Sequence, residues 1–303
     1  MNRLSKTTTT LLNVRCLTEN TLSHLFEDIK IELKLPSTFP SGVKIIDHLT
    51  AMGLASRIPI KVASATKPSN RFYLFGVRES EDFNIDPLEL LQSYQQSGVI
   101  CYFSALSHLG LTTQIAAHHH IAKLIPYQTK TNIERPEISS ELNNTKNNKI
   151  ERSKIGTIIF SFQEIPYYST KRLRKSAPGI KTRILSPLSK IRITTKEQTL
   201  LDTLQYPYHC GGPETVFEAW ERQIRNLDEK LITDYLNKIQ IAPLTRRVGA
   251  ILNLYNHNPT SHLSAYLKKS KERFAARAEL NTISLLRGIA YSRIDTYWNV
   301  AVP

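Results

Sequence analysis

The sequence predicts an α+β protein in which a small helix–helix–hairpin unit precedes a larger mixed α/β domain with a helical layer. Three patterns predict it. Residues 18–77 set two helical periodicities ahead of two short strand-like runs, residues 156–195 hold further strand-like runs, and residues 196–269 repeat apolar residues at helical intervals. At 303 residues the chain has room for two domains with cores of their own, because domains typically hold ~100–200 residues.

In the first unit, Leu22, Leu25, Phe26 and Ile29 recur at helical spacing within residues 18–33, and an earlier turn, Thr10 to Cys16, reads as a short helix of its own. After Pro36 and Pro40, Ser41 is the expected N-cap of a second helix through Val43, Ile45, Ile46, Leu49 and Met52, closed by Gly53. Two strands are then expected, Ser56 to Ala63 and Arg71 to Val77, around the polar tip SATKPSN. This order is that of a winged helix–turn–helix over residues 1–84, whose second helix lies in the major groove of double-stranded DNA while the hairpin rests on phosphate or minor groove. Lys44, Thr50, Arg57, Lys61, Lys67, Asn70 and Arg71 are its candidate DNA contacts. The same residues also suit a plain packing module with surface lysines, since 1–84 holds 11 Lys/Arg against 8 Asp/Glu.

Asp86-Pro87, an N-cap followed by a first-turn proline, opens the second domain, residues 85–303. A helix from Pro87 to Gln96 ends at Gly98, and the run from Val99 passes into a helix over Ser104–Leu109. No Lys or Arg occurs from Glu79 to Ala122, so this stretch is expected in the core. His118, His119 and His120 invite a metal reading. Side chains alternate along a strand, however, and no second ligand cluster has zinc spacing, so they read as a polar strand edge with no metal. Residues 126–154, rich in Asn, Ser, Lys and Glu, read as an exposed insertion. Strands are expected at Gly156–Phe162, Tyr167–Tyr168, Ile180–Leu185 and Ile191–Thr195. Among them lies the densest basic cluster of the chain, Lys171-Arg172-Leu173-Arg174-Lys175. Lys171, Arg172, Arg174 and Lys175 are read as a phosphate-contacting loop beside Tyr167 and Tyr168, the alternative being a solvated hairpin.

The stretch Thr194 to Trp220 organises the C-terminal third of the chain. Leu200, Leu201 and Leu204 give one apolar helix face, with Asp202 and Gln205 outside it; Pro207 ends that helix. Gly211 and Gly212 supply the turn, and Pro213-Glu214 starts a helix that buries Val216, Phe217 and Trp220. Helices at Asp228–Ile239, Thr245–Tyr255, Ser261–Lys269 and Glu272–Leu286, then a strand around Tyr297–Val302, complete the chain.

Three segments in order, spanning about two-thirds of the chain from first to last, resemble the AbiEi family of antitoxins. They are Tyr102–Thr112 with Gln114 ("SAL…hGLT.Q"), the Thr-Leu-Leu-Asp…Pro…Gly-Gly segment around Leu200–Val216, and the closing run Asp295–Val302. Ala116 departs from the family pattern, which carries proline there. The resemblance implies an N-terminal winged helix and a C-terminal antitoxin domain. It also implies repression of the protein's own operon, and neutralisation of a nucleotidyltransferase-like toxin without a stable complex.

Charge points the same way. The net charge is +14, and residues 123–196 carry 16 Lys/Arg against 5 Asp/Glu, a local block that attracts polyanions. No apolar run approaches the ~20 residues that span a bilayer, and no secretion signal is evident. Three scattered cysteines, Cys16, Cys101 and Cys210, suit a reducing cytoplasm. No phosphate-binding glycine loop, nucleophile elbow or His-Glu-x-x-His site occurs, so neither cofactor nor catalytic residue is expected. The expectation is a cytoplasmic repressor and antitoxin whose operator holds inverted or direct repeats. The rivals are a DNA-binding component of a phage-defence or mobile-element system and a nuclease with dispersed carboxylates.

Overall fold

The computed structural model describes residues 15–62, 71–75, 85–126, 155–187, 189–276, 281–286 and 289–303. The chain runs through β1 (Cys16–Thr18), α1 (Glu19–Glu32), α2 (Gly42–Ala51), β2 (Ala55–Arg57), β3 (Lys61–Val62), β4 (Phe72–Phe75), α3 (Pro87–Tyr94), β5 (Val99–Ile100), α4 (Tyr102–His108), β6 (His119–Ile125), β7 (Thr157–Phe162), β8 (Ile165–Leu173), β9 (Ile180–Ser186) and β10 (Ser189–Thr194). It continues through α5 (Lys196–Gln205), α6 (Pro213–Gln223), α7 (Glu229–Ile239), α8 (Ala242–Leu254), α9 (Ser261–Ala276), β11 (Ile283–Ser284), β12 (Arg293–Asp295) and β13 (Val300–Val302). The protein is mixed α and β.

In the N-terminal part, Thr18 caps α1 by accepting the Thr21 backbone N–H, and Ser41 stands at the N-cap of α2. The two helices cross at backbone contact: a Cβ on Gly42 would lie 2.7 Å from Ser23 Cα, so glycine is what lets them meet. β1 and β2 both pair antiparallel with β4, giving a three-stranded sheet. Arg15 is a bend and Cys16 belongs to that sheet rather than to a helical turn; residues 10–14 of the expected helix lie outside the described residues, as does the tip SATKPSN. The expected strand Ser56–Ala63 is broken after Arg57. Pro59 has no N–H to give a ladder, and Lys61–Val62 pairs instead with Ser161 and Phe160 of β7.

The large sheet has the order β3-β7-β8-β6-β5-β10-β9, parallel at β8·β6 and β5·β10 and antiparallel elsewhere. Asp86 caps α3 through the Leu88 backbone N–H. Leu88, Leu90 and Leu91 of that helix join Ile100, Ile121, Phe160, Ile191 and Ile193 of the sheet in one apolar cluster, which also takes in Cys16, Ile58 and Phe72. Apolar packing is therefore continuous from the N-terminal sheet into the large one. The expected insertion, 126–154, falls outside the described residues beyond Pro126.

A second, larger cluster gathers α4 to α9 around Leu200, Leu201, Leu204 and Trp220. The corner forms as its residues require. Tyr206 leaves helical geometry at φ −133°, Pro207–Cys210 makes one 3₁₀ turn, Gly211 and Gly212 sit at φ +92° and +99°, and Pro213 enters α6 in its first turn. α5 is not one-sided, however. Every residue from Glu197 to Gln205 is buried, so Asp202 and Gln205, expected outside its apolar face, are enclosed as well. At the C-terminus, α9 is described as far as Ala276, and Ile283–Ser284 is a strand beside β13 where the sequence predicts a helix to Leu286. Among the described residues, no helix is long and apolar enough to cross a membrane.

Candidate nucleic-acid interface

The N-terminal candidates divide by what already holds them. Lys44 on α2 and Arg57 at the end of β2 are exposed. The Thr50 hydroxyl donates to the Ile46 carbonyl at 2.9 Å, so its proton is committed within the helix. Arg71 lies 3.8 Å from the Glu19 carboxylate, and Arg57 and Arg71 flank the buried Tyr73. Lys61 is not on the hairpin with Arg57: it stands on the edge of the large sheet, paired with Glu164. Lys67 and Asn70 lie outside the described residues.

The basic cluster 171–175 separates more sharply, because β8 runs through it to Leu173 and successive side chains point to opposite faces. Lys171 is exposed, in register beside Lys123 of β6. Arg172 points inward, 2% exposed, and is corrected from a phosphate contact to a structural residue. Its guanidinium grips Asp202 in a two-pronged pair, Nη1 donating to Oδ2 at 2.7 Å and Nη2 to Oδ1, while Nη2 also donates to the Ser176 carbonyl at 2.7 Å. Gln198 Nε2 donates to Asp202 Oδ1 at 2.8 Å, and Tyr102 and Tyr206 face the guanidinium at 5.5 and 5.9 Å. Burial pulls the Arg172 pKa down, but the Asp202 carboxylate outweighs it and holds the guanidinium charged.

Tyr167 is corrected too: it is buried against Phe160 and is not presented to a base, while Tyr168 is half-buried with its ring stacked on His120, ring centres 5.1 Å apart. Arg174 and Lys175 remain exposed on the 3₁₀ turn Arg174–Ser176. With Lys238, Asn237, Pro126 and Pro178 they line a shallow basic depression that sequence reading missed, because α7 supplies Lys238 and Asn237 from over sixty residues away.

The histidine run lies in the middle of the sheet, not at an edge. His119 and His120 are buried on β6, fourth of seven strands, packed against Tyr167 and Tyr168 respectively. His120 Nε2 lies 2.6 Å from the Ile155 carbonyl. Among the described residues no group of three or more His, Cys, Asp or Glu has the geometry to hold a metal. Burial lowers the pKa of His118, brings His119 down to about 4 and takes His120 well below the ordinary histidine value. These rings are neutral in the fold but titrate near ~6.5 when unfolded, so the unfolded chain binds more protons below that pH. Their contribution is intact above ~6.5 and is lost as pH falls. Urea unfolding at pH 5 is expected to show ~2 kcal/mol less stability than at pH 7 from His119, with His120 acting in the same direction. Equal stability at the two pH values would place the rings in water.

No family model matches the sequence, and no curated protein matches it. Among solved structures, the Rv2827c protein from Mycobacterium tuberculosis shares the fold at a TM-score of 0.51 with 11% identity, over 100% of this chain and 92% of that one.

Proposed function

We propose that this protein is a DNA-binding transcriptional autorepressor and the antitoxin of an AbiE-like pair, countering a nucleotidyltransferase-type toxin from the cytoplasm without a stable complex. The observation that carries the reading is the N-terminal order of strand, two crossing helices and two antiparallel strands, with Lys44 and Arg57 exposed on the second helix and the strand after it. In that reading residues 1–84 are a winged helix–turn–helix with α2 as the recognition helix, and residues 85–303 add basic surface. The localisation of charge in residues 123–196 supports it. A nuclease reading would turn on Asp202, whose two oxygens are taken up by Arg172 and Gln198.

The test is a salt-dependent titration of the full chain on its own upstream DNA and on scrambled DNA of equal length. A preference for the upstream DNA supports the repressor; equal, steeply salt-dependent binding to both leaves only a general polyanion binder. In the same assay the variant K171A/R174A/K175A is expected to flatten the slope of log affinity against log salt by ~2.7, at ~0.9 for each phosphate no longer neutralised. Its melting temperature is expected to stay put, since all three side chains are exposed. An unchanged slope removes that surface from the interface.

A further inference from the structure

Residues 165–196 carry nine Lys/Arg and no Asp or Glu, a run that the 171–175 cluster only partly accounts for. The fold takes the rest of it to the rim of the large sheet. β10 pairs with β5 at one position, Ile193 with Ile100, and β9 is the outermost strand. From Thr182 to Arg192 the β9–β10 hairpin is thus a two-stranded ribbon, with no third strand beside it among the described residues.

One face of this ribbon is seated and the other is open. Ile191 is fully buried in the cluster beneath α3. The Arg192 backbone N–H donates to Gln92 Oε1 at 2.8 Å, and its guanidinium donates to the Ser97 carbonyl, which fixes the root of the ribbon. On the other face Lys190 stands opposite Ile184 and Arg192 opposite Thr182. Lys190 and Thr182 are exposed and Ile184 is 71% exposed; Arg183, in register with Ile191 and so on the opposite face, is exposed on the outermost strand.

We propose that the β9–β10 hairpin is a second contact to double-stranded DNA, entering the major groove as a ribbon; the inference rests on the DNA-binding reading above. A strand pair ~4.8 Å across fits a groove ~12 Å wide. Lys190 on the open face and Arg183, exposed at the outer edge from the opposite face, neutralise phosphates flanking the groove, while Thr182 and Ile184 meet base edges, the isoleucine against a thymine methyl. Edge-to-edge pairing of two copies is disfavoured, because it would set Lys181 and Arg183 against like charges.

The experiment compares the full-length wild type, R183A/K190A and I184N on the protein's own upstream DNA and on scrambled DNA across a salt series. R183A/K190A is expected to lower the salt slope by ~1.8, two phosphates at ~0.9 each, with an unchanged melting temperature. I184N is expected to keep the slope and lose roughly five-fold or more in the ratio of upstream to scrambled affinity, as ~1 kcal/mol of base discrimination implies. A wild type that binds DNA while both variants match it overturns the hairpin contact and leaves the edge to an acidic peptide strand. A wild type that binds neither DNA overturns the DNA reading itself, a result plainly different from the first.

Discussion

Arg172→Ala is expected to cost ~3–5 kcal/mol of stability, the usual result of removing one partner of a buried ion pair and leaving the other charge unpaired. Arg172 is 2% exposed and Asp202 fully buried, and the variant strips Asp202 of both guanidinium bonds while leaving only Gln198 as donor. The Ser176 carbonyl loses a donor at the same time. Asp202→Asn is expected to be harmful for the opposite reason, since the guanidinium then stays charged in a site whose anion is gone. The double variant R172M/D202L is expected to recover much of the loss, because an apolar pair of similar volume leaves no buried charge. Urea denaturation of the three variants reads this directly. A loss below ~1 kcal/mol for Arg172→Ala would put the side chain at the surface and return it to the set of phosphate contacts.

This pair also governs how DNA-binding variants are built. Changing all four basic residues of 171–175 together would mix unfolding with weaker phosphate binding, and a fall in affinity would then carry no information about the interface. The triple variant without Arg172 separates the two effects.

Local chemistry was legible in the sequence wherever one residue type dictates one backbone state. The corner from Tyr206 to Pro213 and the cap at Asp86 formed as read, because proline, glycine and short polar side chains act over a few residues; Ser41 takes the N-cap position of α2 but its side chain makes no capping bond, and the cap at Thr18 was not read. Long-range pairing was not legible. Nothing within residues 56–63 says that Lys61 leaves the hairpin for a strand a hundred residues on, or that Arg172 rather than Lys171 faces inward to an aspartate on α5. Strand alternation could have supplied half of the second answer. Had β8 been extended from Tyr168 through Thr170, Arg172 would have fallen on the inward parity, and a buried arginine demands an acid. The histidine run misled because imidazole counts as polar in a one-dimensional reading, whereas stacked on tyrosine in a sheet it behaves as an aromatic core residue.

Gly249→Ala is expected to destabilise the protein by ~2 kcal/mol or more, although helix propensity alone points the other way. Alanine inside a helix is preferred over glycine by ~1 kcal/mol, and Gly249 lies within α8. A Cβ there would stand 2.1 Å from Trp298 Cε2 and 2.4 Å from Cζ2, closer than atoms approach without something moving. The indole has little freedom to yield. Trp298 is 6% exposed, its backbone N–H donates to Asp295 Oδ1 at 2.9 Å, and its carbonyl accepts from Arg246 Nε at 2.8 Å, so the turn leading into β13 is held from both sides. Overpacking of this kind costs ~1–3 kcal/mol or more and outweighs the propensity gain. The deciding measurement is a double-mutant cycle with Trp298→Leu. If the clash is the cause, Gly249→Ala is harmful in the wild type and neutral or mildly stabilising once the indole is gone. If Gly249→Ala is equally harmful in both backgrounds, the indole is not what glycine accommodates, and the close approach of α8 to the C-terminal sheet must be assigned to other contacts.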